Sequence, residues 1–225
     1  MHDASLFAPK TGRNCPRQEG SQSIGDHPRV LILDPTRMGS GSATGMLKAR
    51  LLRDWPRDRI FQLHSAPNNG LGIITPRLGR NKLKAVTSLA GISSMIDTFK
   101  PEVIYYRPLE TPEVFNQLCR VIIDWYCLPL VVHIMDDWPE RLRITDPVKY
   151  AREEAILRIL LNRACVRLSI CRAMSMAFLK RYGHNFIPIA NGADSEEINQ
   201  VRRKIRTVPE QPFLLRYCGA LAEDM

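Results

Sequence analysis

No apolar stretch in this 225-residue chain approaches the roughly 20 residues a helix needs to cross a bilayer. The longest candidate, residues 121–135, is interrupted by Asp124 and Pro129. The first 28 residues lack the apolar core of a secretory signal; polar, mixed in charge and rich in Ser, Gly and Pro, they read as a disordered leader. Six cysteines occur without any CxxC pair and with spacings that suit neither a zinc site nor a secreted disulfide scaffold. They read as free thiols in a reducing compartment, which makes the expected location cytoplasmic. Aromatic residues are scarce, at 7%, and are not interleaved with the arginines as a nucleic-acid reader would require, so no nucleic-acid partner is expected.

What is present suits a globular chain. Hydrophobic residues make up 44%, and the length allows one large domain or two small ones with a sizeable core. Lys and Arg number 32 against 23 Asp and Glu, so the net charge is 32 − 23 = +9. Part of the excess runs through Arg141, Arg143, Lys149, Arg152, Arg158, Arg163, Arg167 and Arg172, with a denser run at 202–206. Such charge reads either as a solvated helix face or as a surface attracted to anionic lipid.

Short aliphatic runs alternate with helical patterns. Residues 29–34, 59–64, 102–106, 129–135, 166–170, 186–189 and 213–217 read as strands, the buried ones nearly continuous in apolar residues. Residues 65–80, crowded with Pro, Asn and Gly, read as loop around a short strand at Ile73 and Ile74. Helices are expected over 46–54, 83–99, from Thr111-Pro112-Glu113 onward, from Asp146-Pro147 to about 162, over 172–182 and over 195–205. In the third of these, Val114, Leu118, Val121, Ile122 and Trp125 recur at helical spacing. Strand–helix alternation implies an α/β, doubly wound, mostly parallel Rossmann-like sheet.

Two constellations carry candidate chemistry. Gly39, Ser40 and Gly41 open a turn that runs to Gly45 between the first strand and a helix, where free backbone amides suit an anion. The triphosphate-loop pattern fails, because Gly45 is followed by Met46 and Leu47. The dinucleotide pattern is one residue too long, and the second strand ends in Leu63, His64 and Ser65 without a carboxylate for a ribose. The same glycines also suit a plain tight turn. The second constellation, His133 with Asp136, Asp137 and Trp138, stands at the carboxyl end of a buried strand, where open α/β sheets place ligands. His133 can donate to a phosphate or sugar hydroxyl, the aspartates can accept from hydroxyls, and Trp138 offers a flat face to a sugar or lipid. Alternatively, His133 is a hydrogen-bonded core residue and an aspartate caps the turn before Pro139.

Several segments together, in order, resemble retaining glycosyltransferases of the GT-B fold, family 4 type. Residues 29–45 resemble the first strand and glycine loop, 100–105 (KPEVIY) a following strand, and 130–137 (LVVHIMDD) the strand ending in histidine. Residues 164–183 (ACVRLSICRAMSMAFLKRYG) and 187–194 (IPIANGAD) are similar to the later helix and its asparagine–glycine turn, and 213–222 to the first strand of the second domain. Cys171, Ala190 and Ala220 depart from the pattern, and Ala220 removes an arginine that neutralises the donor diphosphate in relatives.

The resemblance implies a leader at 1–28, an acceptor-side domain at 29–207, and at 208–225 a linker and the first strand of an absent donor domain. It implies transfer of a sugar from a nucleotide-sugar to a glycan or lipid-linked acceptor, in polysaccharide biosynthesis, with no metal or cofactor and with peripheral membrane contact at the inner face. It assigns His133 to the transferred sugar, the 39–41 loop to donor phosphate or acceptor, and Asp136, Asp137 and Trp138 to the acceptor side. A chain ending at Met225 is expected to be inactive alone. The rival expectation is a non-catalytic module that binds a glycan or partner.

Overall fold

The computed structural model describes residues 27–66, 70–74 and 89–190, together with Asn199. The chain divides into two compact units, Met1–Ala190 and Asn191–Met225. The turn expected at 191–194, the helix at 195–205, the basic run at 202–206 and the strand at 213–217 lie outside the described residues, as do 1–26 and the first part of the helix expected over 83–99.

The described part is an α/β fold built on seven strands: β1 (Val30–Leu33), β2 (Ile60–Ala66), β3 (Gly70–Ile74), β4 (Val103–Tyr106), β5 (Leu130–Ile134), β6 (Val166–Ser169) and β7 (Ile187–Pro188). Their order is β3-β2-β1-β4-β5-β6-β7. All neighbours are parallel except β2 and β3, which form an antiparallel hairpin at one edge. This architecture is compatible with the Rossmann-like expectation. The short strand expected at Ile73 and Ile74 within the 65–80 loop is thus β3, longer than expected, and it pairs with β2, Gly72 standing opposite His64; residues 67–69 and 75–80 lie outside the described residues. A Cβ at Gly72 would fall 2.1 Å from Cε1 of His64, so the histidine ring takes the room that a side chain would need.

Helix α1 (Ala43–Leu51) carries the chain from β1 outward to β2. α2 (Leu89–Phe99), α3 (Glu113–Tyr126), the pair α4 (Trp138–Thr145) and α5 (Pro147–Arg163), and α6 (Arg172–Tyr182) serve crossovers that run the opposite way. Right-handed crossovers between parallel strands therefore put α1 on one face and α3 to α6 on the opposite one; α2, which follows the antiparallel β3, packs on the same side as α3 to α6. Packing agrees. Leu31, Leu33, Phe61, Leu63, Ile104, Tyr106, Val132 and Ile134 point to one side and share a core with residues of α2 to α6. Val30, Ile32 and Ile60 point to the other and meet Met38, Leu52 and Trp55 around α1.

Several boundaries differ from expectation for local reasons. α1 begins three residues earlier than expected because Ser42 caps it, its hydroxyl accepting from Gly45 N at 3.1 Å. Asp146 caps α5 as expected, accepting from Lys149 N at 2.9 Å. Thr111 does not cap α3; Pro112 is the N-cap and no side chain bonds there. α4, read only as a turn around Pro139, is a helix of its own.

The apolar stripe expected on α3 is met in part: Ile122 is buried and Leu118 packs against the core. The face is nevertheless shifted, since Phe115, Cys119 and Ile123 are buried with them, while Val114 is 70% exposed and Val121 and Trp125 lie at the surface. Burial predicts the energetic consequence: Ile123→Ala should cost about 2–5 kcal/mol, whereas Val114→Ala should stay within about 0.5 kcal/mol. Urea denaturation of the two variants distinguishes this phase from the one the periodicity suggested.

Candidate functional site

β1 lies between β2 and β4, so the chain leaves β1 in one direction and later returns to its other side. Ligands of open α/β sheets bind outside the carboxyl ends of the strands at such a reversal. Here Leu63, Leu33, Tyr106 and Val132 are aligned across β2, β1, β4 and β5. The next residues, His64, Asp34, Arg107 and His133, therefore stand in one row on the α1 face. Two backbone bonds extend the ladder to this level, Asp34 N to Leu63 O at 3.3 Å and Arg107 N to Leu33 O at 3.1 Å. All four residues are buried.

Asp34 is the centre of the row. Arg107 grips it with two bonds, Nε to Oδ2 at 2.9 Å and Nη2 to Oδ1 at 3.0 Å. Lys48 reaches in from α1, its Nζ 2.6 Å from Oδ2. Thr36 N donates to Oδ1 at 2.7 Å. The loop after β1 is tied into the same network: Thr36 Oγ1 accepts from Arg107 Nη2, and Thr36 O accepts from Lys48 Nζ and from Gln62 Nε2 at 2.8 Å. Met38 N donates to Gln62 Oε1. Two cations share one carboxylate, so the cluster holds one excess positive charge away from water. Burial lowers Lys48 to about 8 although Asp34 opposes that shift.

His133 lies beside Arg107 on β5, fully buried, with Nδ1 2.7 Å from Tyr105 Oη and no partner for Nε2. Burial, aided by the charge of Arg107, holds it down to about 4. The imidazole is therefore neutral at pH 7. His64, at the other end of the row, bonds Ser65 O through Nδ1 and also leaves Nε2 unpartnered. Burial lowers its pKa too.

The glycine turn sits at the same carboxyl edge. Gly39 adopts a left-handed φ of 73° and donates to Gly45 O at 2.9 Å, closing the turn onto α1. Gly45 permits that closure, since a Cβ there would lie 2.2 Å from Ser40 Oγ and 2.7 Å from Arg37 O. Gly41 faces open space, and Ser40 and Ser42 share a hydroxyl bond of 2.9 Å. The turn is thus both a tight structural device and an exposed rim.

The remaining expected residues divide. Asp136 is exposed just past β5. Asp137 is engaged by Arg181 of α6 in a two-bond ion pair of 2.6 and 3.0 Å, so it fastens α4 to α6. Trp138 is corrected: it is 3% exposed, packs in the main core and donates through Nε1 to Pro108 O at 3.2 Å, so it presents no flat face to a ligand. Lys48, Arg107, Tyr105 and Gln62 were not singled out as site residues. A shallow groove lined by Ile92, Ile96, Leu118, Val121, Trp125 and Tyr126 lies on the opposite side of the sheet; its walls are largely hydrocarbon.

Among the described residues, no group of three or more His, Cys, Asp or Glu side chains is placed to hold a metal ion. No described helix is long and apolar enough to cross a membrane. Arg141, Arg143, Arg152, Arg158 and Arg163 each hold a carboxylate, pairing with Glu110, Glu140, Glu113, Glu154 and Asp124. Their charge is therefore partly spent within the fold. No family model matches this chain, and no curated protein sequence matches it either.

Two outcomes follow from the row. Asp34→Asn leaves Lys48 and Arg107 facing each other without a counter-charge and should cost about 3–5 kcal/mol in urea unfolding. For His133 the unfolded chain, with a pKa near 6.5, binds a proton that the folded chain refuses until about 4. Stability should therefore fall as pH drops from 6.5 towards 4, by at most on the order of 3 kcal/mol. Unfolding midpoints across that range should fall less steeply in His133→Gln.

Proposed function

We propose that this chain is the acceptor-side domain of a retaining GT-B glycosyltransferase, which moves a sugar from a nucleotide-sugar to a glycan or lipid-linked acceptor. The observation that carries the reading is His133, fully buried at the carboxyl edge beside the strand-order reversal, with Nε2 held without a partner. A fold keeps such a nitrogen unsatisfied at some cost, and a ligand contact offsets that cost. The glycine rim after β1 supports the same reading, because it places exposed backbone and the start of α1 at the carboxyl edge, near which His133 stands in β5.

Within this reading the domain acts by orientation and by electrostatic stabilisation rather than by an attacking side chain. His133 bonds the transferred sugar, and Gly39, Ser40 and Gly41 approach the donor phosphate or the acceptor. Asp136, exposed beyond β5, is the remaining acceptor-side carboxylate. Asp137 and Trp138 support that edge from behind through Arg181 and the core. The excess positive charge at Asp34, Lys48 and Arg107 favours negative charge on the ligand. A cytoplasmic setting with peripheral membrane contact fits a lipid-linked acceptor.

The test is turnover of UDP-, GDP- and ADP-sugars by the protein expressed from its complete reading frame. Loss of the His133 contact should lower kcat/KM by about 10²-fold in His133→Gln. Transfer unchanged by that substitution, or absent with every nucleotide-sugar, overturns the reading.

A further inference from the structure

The carboxyl edge holds a second unpartnered donor beside His133, and the hydrogen bookkeeping around Tyr105 fixes what both can bind. Tyr105 Oη and His133 Nδ1 are 2.7 Å apart, and the Tyr105 hydroxyl makes no other hydrogen bond among the described residues. The phenol keeps its proton, since burial raises its pKa well above the ordinary value, and the imidazole is neutral. Two hydrogens must therefore be placed. If the imidazole hydrogen sits on Nδ1, the phenolic hydrogen and the Nε2 lone pair are both orphaned in the interior. If the phenol donates to Nδ1, the imidazole hydrogen sits on Nε2 and only that one donor is orphaned. Every orphaned buried group carries a desolvation penalty, so the second arrangement is favoured. His133 is then an Nε2–H donor and Tyr105 is its positioning residue.

Arg107 stands next in the row, on a strand about 4.8 Å away. Its Nε and Nη2 are spent on Asp34 and Thr36, while Nη1 has no partner among the described residues. With Lys48 it leaves one net positive charge beside Asp34. We propose that Arg107 Nη1 and His133 Nε2–H form a two-donor site for the phosphate group of a ligand, with Tyr105 setting His133 as a donor. A phosphate, unlike a carboxylate, has further oxygens for the free amides that begin α1 at the same edge. This inference rests on reading the carboxyl edge as the ligand site, and it adds a phosphate oxygen to the sugar hydroxyl among the groups that His133 meets.

The experiment is long-range ¹H–¹⁵N histidine spectroscopy on the ¹⁵N-labelled 225-residue chain at pH 7, titrated in turn with inorganic phosphate, pyrophosphate and glucose. The free protein should show His133 protonated at Nε2; protonation at Nδ1 overturns the assignment. Phosphate or pyrophosphate should move the Nε2 resonance, the tighter of the two telling a single phosphate from a nucleotide-type diphosphate. A shift with glucose alone, or with none of the three, overturns the proposal. Arg107→Lys keeps the ion pair with Asp34 but removes Nη1; it should weaken phosphate binding about 10-fold and leave the tautomer unchanged. Tyr105→Phe should populate the Nδ1–H tautomer and weaken binding by a similar factor, a change that a merely structural tyrosine would not produce. Binding unaffected by both substitutions overturns the proposal. Phosphate binding without sugar turnover in the complete protein would reject glycosyl transfer and leave this site standing.

Discussion

One carboxylate organises the carboxyl edge of this protein. Asp34 accepts from Arg107, Lys48 and the amide of Thr36, so β1, β4, α1 and the loop after β1 meet on two oxygen atoms. Gln62 adds β2 by holding Thr36 O and Met38 N. A buried pair of this kind adds little to stability compared with a hydrocarbon substitute, because desolvation offsets most of the attraction. What it does impose is geometry. The start of α1 and the glycine turn cannot shift along the sheet without breaking charge-assisted bonds, and the row from His64 to His133 keeps its register.

The layered plan was legible because buried parallel strands read as short, mostly apolar runs, and residues 30–33, 103–106 and 130–134 all did so. The phase of α3 was legible only in part. That helix carries two apolar stripes, and periodicity cannot say which meets the core when Val114 and Phe115 compete as neighbours. α4 was hidden because Asp136, Asp137 and Pro139 look like a turn, although proline is equally at home in a first helical turn. His133 could be picked out because a histidine inside an apolar strand is conspicuous. Arg107 could not, since a charge directly after a strand reads as the start of a solvated loop. Only the alignment of four strands shows that it shares a row with Asp34 and His133.

Surface charge shows the same limit. Arginines along α4 and α5 look like a basic face in one dimension, yet Glu140 and Glu154 are placed to meet Arg143 and Arg158 on the same helices, and Asp124 meets Arg163 from α3. The helix repeat and helix packing decide how much of a positive sequence remains positive in three dimensions.

The sheet has two unlike sides. One carries α2 to α6 over a broad hydrocarbon core; the other carries α1 over a small one and gathers Asp34, Lys48, Gln62, His64, Tyr105, Arg107 and His133. Because side chains alternate along each strand, a single strand serves both sides through different residues. Substitution pressure is thereby split residue by residue. Odd and even positions of β4 and β5 are free to diverge under separate demands, one for shape and one for ligand chemistry. A lineage could recast the polar side for another substrate while its hydrocarbon side remained almost unchanged.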